Sequence, residues 1–289
     1  MTGLPRRDPG LPGHPRPLAP TFSSSFVVGS GKLTPVTSTG HSAVGHHLAA
    51  PGSRGKYGVD GGVIPFLVYG AALAALTLTF VQQRYRRRRL ATLGGLAAVA
   101  ISGSAGSYFY STGRGKRSIW TEILDALALR GTEQVLDIGC GRGAVLMLAA
   151  RRVPEGKAVG VDVWRLRDQS GNNRAMTERN AVVEGVSDRV EVLDGDAREL
   201  PFPDGSFDLV VSNLALHNIR DTDERAVALR EAVRVLRPGG RLRIVDLNAR
   251  SYVPPLRDAG CRDLEVHRLD WRTWCGVPGH HLDLVEARV

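Results

Sequence analysis

The sequence is poor in cysteine and, over its first 117 residues, almost without acid. Only Cys140, Cys261 and Cys275 occur in 289 residues. Three thiols exclude a disulfide scaffold, and their spacing fits no metal-ligand pattern, so reduced cysteines and no metal are expected. Residues 1–117 contain two acids, Asp8 and Asp60, against 14 Lys and Arg, a net +12. Residues 118–289 carry 24 Lys and Arg against 27 acids, a net −3, so the overall +9 is N-terminal. A basic surface on the C-terminal part is thereby excluded, and no nucleic-acid partner is expected. No apolar run follows Arg6 and Arg7, so no secretory signal peptide is expected.

What is present falls into distinct stretches. Residues 1–60 are rich in proline, glycine and serine, with prolines at 5, 9, 12, 15, 17 and 20, and read as a disordered tail. Residues 63–81, from Val63 to Val81, hold no charge over 19 residues, and at about 1.5 Å per residue such a helix covers roughly the ~30 Å hydrocarbon core of a bilayer. The basic run around Arg84 and Arg86–Arg89 stops it. A second uncharged run, residues 90–112, is rich in small residues that let helices approach, and a two-span hairpin is favoured over one span. For two spans the flanking charges tie, whereas one span with the N-terminus outside satisfies the positive-inside rule better. Five arginines (84 and 86–89) oppose Arg54, Lys56, Arg114, Lys116 and Arg117 on the outer flanks. A membrane location is expected, with the C-terminal domain facing the cytoplasm if it uses a cytosolic cofactor.

From residue 113 to 289 strands alternate with helices. Strands are predicted at Gln134–Ile138, Ala158–Val163, Arg189–Leu193, Phe207–Ser212, Arg241–Asp246, Leu264–Leu269 and Leu282–Val289. Helices are predicted at Arg142–Arg152, Asn172–Glu184 and Thr222–Leu236, the last ended by Pro238-Gly239-Gly240. This is the pattern of an α/β fold: a doubly wound, Rossmann-like, mostly parallel sheet with ligands at the carboxyl ends of its strands.

The first strand runs directly into Asp137-Ile138-Gly139-Cys140-Gly141-Arg142-Gly143. Alone, a glycine-rich strand–helix turn is shared with nicotinamide and flavin proteins. Here the spacing is G-x-G-x-G, and Asp137 precedes the first glycine. A carboxylate at that place repels a pyrophosphate and suits a ligand with an ammonium group. Cys140 reads as a small residue rather than a nucleophile, and Asp208 as structural.

Val135–Gly143 resembles the first motif of class I S-adenosylmethionine-dependent methyltransferases. Further landmarks follow in order: Asp162, 19 residues after Gly143; Gly195-Asp196-Ala197; Phe207–Asn213; and Arg234–Gly240. The resemblance covers about residues 118–289. It implies S-adenosyl-L-methionine as cofactor, held by Asp137, Gly139, Gly141, Gly143, Asp162, Asp196, Ala197 and Asn213. Within it, Asp162 is the acid for both ribose hydroxyls and Asp196 the acceptor for the adenine amino group. Individual residues keep a plain alternative, such as Asp137 merely capping backbone amides.

For the reaction, His217 lies just beyond the fourth strand and is the candidate base, with local hydrogen bonding as the alternative. Ser212-Asn213-Leu214-Ala215 departs from the Asn/Asp-Pro-Pro-Tyr/Phe motif of enzymes that methylate amide or exocyclic nitrogens. The run through His217 and residues 226–240 is similar to small-molecule and lipid-quinone methyltransferases. The expected acceptor is thus small, apolar or membrane-resident. Residues 108–129 and the region of Trp271, Trp274, His280 and His281 are expected to cover it, with Trp120, Trp271 and Trp274 either lining the pocket or packing in the core. Two alternatives stay open: a protein or nucleic-acid methyltransferase, and a cofactor-binding membrane protein without turnover. Oligomeric state is not legible.

Overall fold

The structure, a computed structural model, describes residues 55–60, 64–85, 88–274 and 279–289. The expected tail lies outside the described residues except for 55–60, and these six are tied to the rest of the protein by hydrogen bonds (below). Cys275 also lies outside them.

Two long helices come first, α1 (Ile64–Arg84) and α2 (Arg88–Tyr110), packed on one another as a hairpin. Small residues make the contact. Ala72, Ala98 and Ala105 are buried, and a Cβ on Gly94 would come within 2.5 Å of Thr79 Oγ1. Gly103 and Gly106, expected to serve the same approach, have open space around them. The large apolar residues lie on the outside: Leu67, Leu73, Phe80, Leu93, Leu96 and Val99 are all more than 60% exposed. Among the described residues the helical run Arg88–Ala126 is long and apolar enough to cross a membrane, by length and composition.

A π-helical turn, Ser111–Gly115, carries α2 without a break into α3 (Lys116–Ala126). The apolar face of α3, with Ile119, Trp120, Ile123 and Leu124, packs on one side of a seven-stranded sheet. The strands are β1 (Gln134–Ile138), β2 (Lys157–Asp162), β3 (Val190–Asp194), β4 (Phe207–Asn213), β5 (Leu236–Leu247), β6 (Arg262–Arg268) and β7 (Leu282–Arg288), in the order β3-β2-β1-β4-β5-β7-β6. The first five are parallel, and β7 runs antiparallel between β5 and β6. The remaining helices are α4 (Ala144–Arg152), α5 (Arg174–Val183), α6 (Thr222–Arg234) and the short α7 (Val253–Asp258). The mixed α/β, Rossmann-like fold matches the expectation. Chain order reverses between β1 and β4, which opens a crevice at their carboxyl ends.

Local chemistry sets the boundaries. Asp221 caps α6 by accepting from the N–H groups of Asp223 and Glu224, and Asn173 caps α5 by accepting from Met176. The sequence reading placed Pro238-Gly239-Gly240 as the stop of a helix reaching Leu236. Instead α6 ends at Arg234, and those residues form an irregularity inside β5. There the Gly239 N–H bonds the Val289 carbonyl, so the sheet, rather than a helix cap, satisfies the backbone.

Candidate active site

β1 delivers Asp137 to the sheet's carboxyl edge, and the chain then turns through three glycines in the left-handed region: Gly139 (φ 70°), Gly141 (φ 52°) and Gly143 (φ 81°). All three are also crowded, and a Cβ on Gly143 would come within 2.7 Å of Met147 Cε. A Cβ on Gly139 would collide with the Ala215 methyl, and one on Gly141 would come within 2.5 Å of Gln169 Oε1. Both the conformation and the space therefore demand glycine.

The turn faces a cavity of about 350 Å³ whose walls include Asp137, Gly139, Gly141, Asp162, Asp196, Ala197 and Asn213. Seven of the eight residues assigned to cofactor binding thus share one cavity. The eighth, Gly143, is the N-cap of α4 and packs toward Met147 and Thr177; it shapes the turn from behind.

Asp137 is 2% exposed, and its Oδ2 is buried with no hydrogen-bond partner among the described residues. Burial, then the nearby Asp162 charge, pushes its carboxyl up to about 7. A buried acid with an unused oxygen at a cavity wall suits a cationic ligand group, and an ammonium would both pair with it and restore its ionisation. Capping of backbone amides leaves that oxygen unexplained.

Asp162 ends β2. Its Oδ2 accepts from the Gly141 N–H (2.8 Å), while Oδ1 accepts from the Trp164 N–H (2.6 Å) and Asn172 Nδ2 (3.3 Å). Burial nonetheless holds its pKa above the usual range. A carboxylate has about four acceptor positions, so roughly one remains here, enough for one ribose hydroxyl rather than two.

Asp196 is clamped by Arg198, which donates from its backbone N–H and Nε (both 2.9 Å) to Oδ1 and from Nη2 (2.6 Å) to Oδ2. The guanidinium holds the carboxyl below its ordinary value. Asn213 lines the cavity with its amide oxygen already engaged, accepting from Trp120 Nε1 at 2.7 Å. Trp120 is fully buried, while Trp271 is exposed and stacked on Tyr110. None of Trp120, Trp271 and Trp274 is among the described cavity walls, and of the two readings, pocket or core, Trp120 follows the core one. Cys140 is buried, and its thiol is pushed well up by burial, as befits a packing residue.

His217 sits on a short 3₁₀ turn, Leu216–Asn218, whose residues Leu216 and Asn218 line the cavity; His217 itself is not among the described cavity walls. Its Nδ1 is 2.6 Å from Asp246 Oδ1, and its backbone N–H donates to Asp246 Oδ2 at 3.1 Å. Asp246, at the end of β5, is fully buried and also accepts from Tyr252 Oη (3.1 Å) and the Leu247 N–H (2.7 Å). Burial lowers the His217 pKa, but the hydrogen bond and charge of Asp246 outweigh it, and the net shift is upward. Such a carboxylate fixes the imidazole tautomer and leaves Nε2 as the proton-accepting atom.

Sequence reasoning missed Asp246, Asp60, Lys116 and Gln169. Gln169 Oε1 accepts from the Arg142 N–H in the glycine turn at 2.8 Å, and Asp60 and Lys116 are cavity walls. One signal was available: Asp60 is one of only two acids in the first 117 residues.

Residues 136–244 match the family model described as methyltransferase domain. The ubiquinone/menaquinone biosynthesis C-methyltransferase of Hahella chejuensis is 37% identical over 136 residues, 46% of this chain and 51% of that protein. The 27-O-demethylrifamycin SV methyltransferase of Amycolatopsis mediterranei is 39% identical over 44% of each chain, and the demethylmenaquinone methyltransferase of Listeria monocytogenes is 35% identical over 43% of this chain and 49% of its own. The chain spans about half the length of these relatives. A solved S-adenosylmethionine-dependent methyltransferase from Aquifex aeolicus superposes with a TM-score of 0.46 at 21% identity, over 58% of this chain and 88% of that one. Over residues 136–244 the chain is thus similar to a methyltransferase domain.

Proposed function

We propose that the protein transfers a methyl group from S-adenosyl-L-methionine to a small, apolar, membrane-resident acceptor, working from a two-span membrane anchor with its domain on the cytoplasmic side. The observation that carries the reading is the buried, partnerless carboxylate oxygen of Asp137 beside the glycine turn, a place made for the ammonium of an amino-acid-bearing cofactor. Bound there, the cofactor supplies a methyl group already activated by its sulfonium. The chain then has three tasks. Asp137 and Asp162 orient the donor, and Asp196 and Ala197 line the same cavity. The closed glycine turn and Leu216 exclude water. His217, oriented by Asp246, accepts a proton where the acceptor must lose one.

The acceptor class rests on the relatives, whose printed names are of quinone and rifamycin methyltransferases. It also rests on the outward-facing apolar side chains of α1 and α2, which a bilayer would cover. Two spans are favoured because the chain before α1 and the chain after α2 both attach to the domain, although one span satisfies the charge rule better. A protein acceptor is the second reading, and the domain's net −3 disfavours nucleic acid.

The test is incorporation of label from methyl-labelled S-adenosylmethionine into lipid extracts by the full chain in nanodiscs, beside Asp162→Ala. Label in the lipid fraction that Asp162→Ala abolishes supports the reading. Label confined to protein transfers the assignment to the second reading, and no cofactor binding by folded protein overturns both.

A further inference from the structure

The six residues before the membrane hairpin behave as part of the catalytic domain. Gly55 N–H and Tyr57 Oη donate to Glu184 Oε1 (2.9 and 2.6 Å), and Lys56 exchanges two hydrogen bonds with Asn180. Val59 pairs with Ser170 through its N–H (to Oγ, 2.9 Å) and its carbonyl (from the Ser170 N–H, 3.0 Å). Gly58, at φ 68°, passes so close to the Ser170 carbonyl that a Cβ would come within 2.7 Å of it. This strap ends on Asp60, which accepts from Gln169 Nε2 at 3.1 Å and forms an ion pair with Lys116. Lys116 is 8% exposed and opens α3, on the far side of the hairpin in sequence.

Resting on the cofactor reading above, we propose that the strap completes the cofactor site: Lys116 takes the carboxylate at the cofactor's amino-acid end, and Asp60 is the positioning residue that holds Lys116 in the cavity wall. The argument is one of charge placement. An amino acid's ammonium and carboxylate sit on one carbon, so the cation for the second lies close to the anion for the first. Lys116 shares the cavity wall with Asp137, and its charge reaches that carboxyl. The other cations on the described wall are less apt. Arg165, Arg167 and Arg220 are exposed, and Arg198 is spent on Asp196 and Glu224. Asp60 leaves two of the three ammonium donors of Lys116 for a ligand. Because the ion pair joins the segment preceding α1 to the first residue of α3, cofactor affinity becomes coupled to the integrity of the hairpin.

The experiment is calorimetric titration of the full chain in nanodiscs with two ligands, S-adenosylhomocysteine and 5′-methylthioadenosine, which lacks the amino-acid carboxylate and ammonium. Lys116→Met is expected to weaken S-adenosylhomocysteine about 10- to 100-fold and 5′-methylthioadenosine less than about twofold. Asp60→Asn is expected to show the same selectivity at about 3- to 10-fold, since it leaves the lysine in place but unheld. Equal losses for both ligands would assign the pair a structural role and overturn the proposal, as would unchanged S-adenosylhomocysteine affinity in Lys116→Met. If the unsubstituted protein binds neither ligand, the cofactor reading itself fails.

Discussion

In the α1–α2 hairpin the residues that meet are small, Ala72, Ala98, Ala105 and Gly94, while Leu67, Leu73, Phe80 and Val99 face outward. In the sheet domain the order is inverted. Leu136, Leu209, Leu242 and Ile244 are fully buried, and few large apolar side chains are exposed. The domain is therefore held together by expelling water from large side chains. The hairpin gains little that way and relies on close backbone approach, the packing expected where the surroundings are themselves apolar. Charge divides along a similar line: the chain to residue 117 carries +12, the rest −3. The strap crosses that line. It belongs by position to the basic N-terminal stretch, and by contact to the acidic domain.

The largest effect that would break this contrast concerns chemistry confined to the domain. His217→Gln is expected to lower turnover about 10²- to 10⁴-fold for an acceptor that must lose a proton, with cofactor affinity unchanged. Because Asp246 raises the His217 pKa, activity should rise with pH through a limb above 6.5, the histidine's ordinary value, and Asp246→Asn should move that limb to lower pH. A limb that stays in place would leave Asp246 only a structural part.

Packing comes next. Leu209→Ala should cost the domain about 2–5 kcal/mol in chemical denaturation. Leu96→Ala, on the outer face of α2, should cost less than about 0.5 kcal/mol in the same measurement. Comparable losses would erase the distinction between the two regions.

Asp137 offers a finer test, because it is costly to the empty domain and useful only with a ligand. Its native pKa near 7 lies above the ordinary 3.8, so between those values the native state binds more protons than the unfolded one. Stability should therefore fall as pH rises from about 4 to 7. Asp137→Asn should raise the stability of the ligand-free protein by about 1 kcal/mol at pH 8, and by less at pH 5, in thermal or urea unfolding. It should also weaken S-adenosylmethionine about 10- to 100-fold in titration. In the unsubstituted protein that affinity should decline as pH drops below about 7; in Asp137→Asn it should not. Within the hairpin, Gly94→Val overpacks the Thr79 contact and should loosen the helix pair by about 1–3 kcal/mol. Cross-linking yield between cysteines placed on α1 and α2 would report it.

Much of this organisation was legible in the residues. Alternating apolar runs and capping residues such as Asp221 mark local structure, and local structure follows from backbone sterics and hydrogen bonding to near neighbours. The Asp137–Gly143 turn was legible for the same reason, since left-handed conformations leave glycine as their trace. Other features depend on partners remote in sequence and leave no local periodicity. The Asp246 carboxylate behind His217 is 29 residues away, the Trp120–Asn213 hydrogen bond spans 93, and Asp60 with Gln169 spans 109. The Pro238-Gly239-Gly240 segment misled for a related reason. Its turn chemistry is real, but the neighbouring strands rather than the preceding helix claim its backbone groups.

The sequence by itself determined the alternation of strands and helices, the glycine turn with its leading acid, the uncharged runs and the asymmetry of charge. Each is a property of neighbouring residues and needs no fold to exist. Tertiary structure alone decided that seven of the eight assigned cofactor residues share one cavity, that Trp120 is core, and that the chain before the hairpin returns to the domain to set Asp60 against Lys116. Those are encounters between distant parts of the chain, and they arise only when burial of the sheet's faces has fixed where each strand ends.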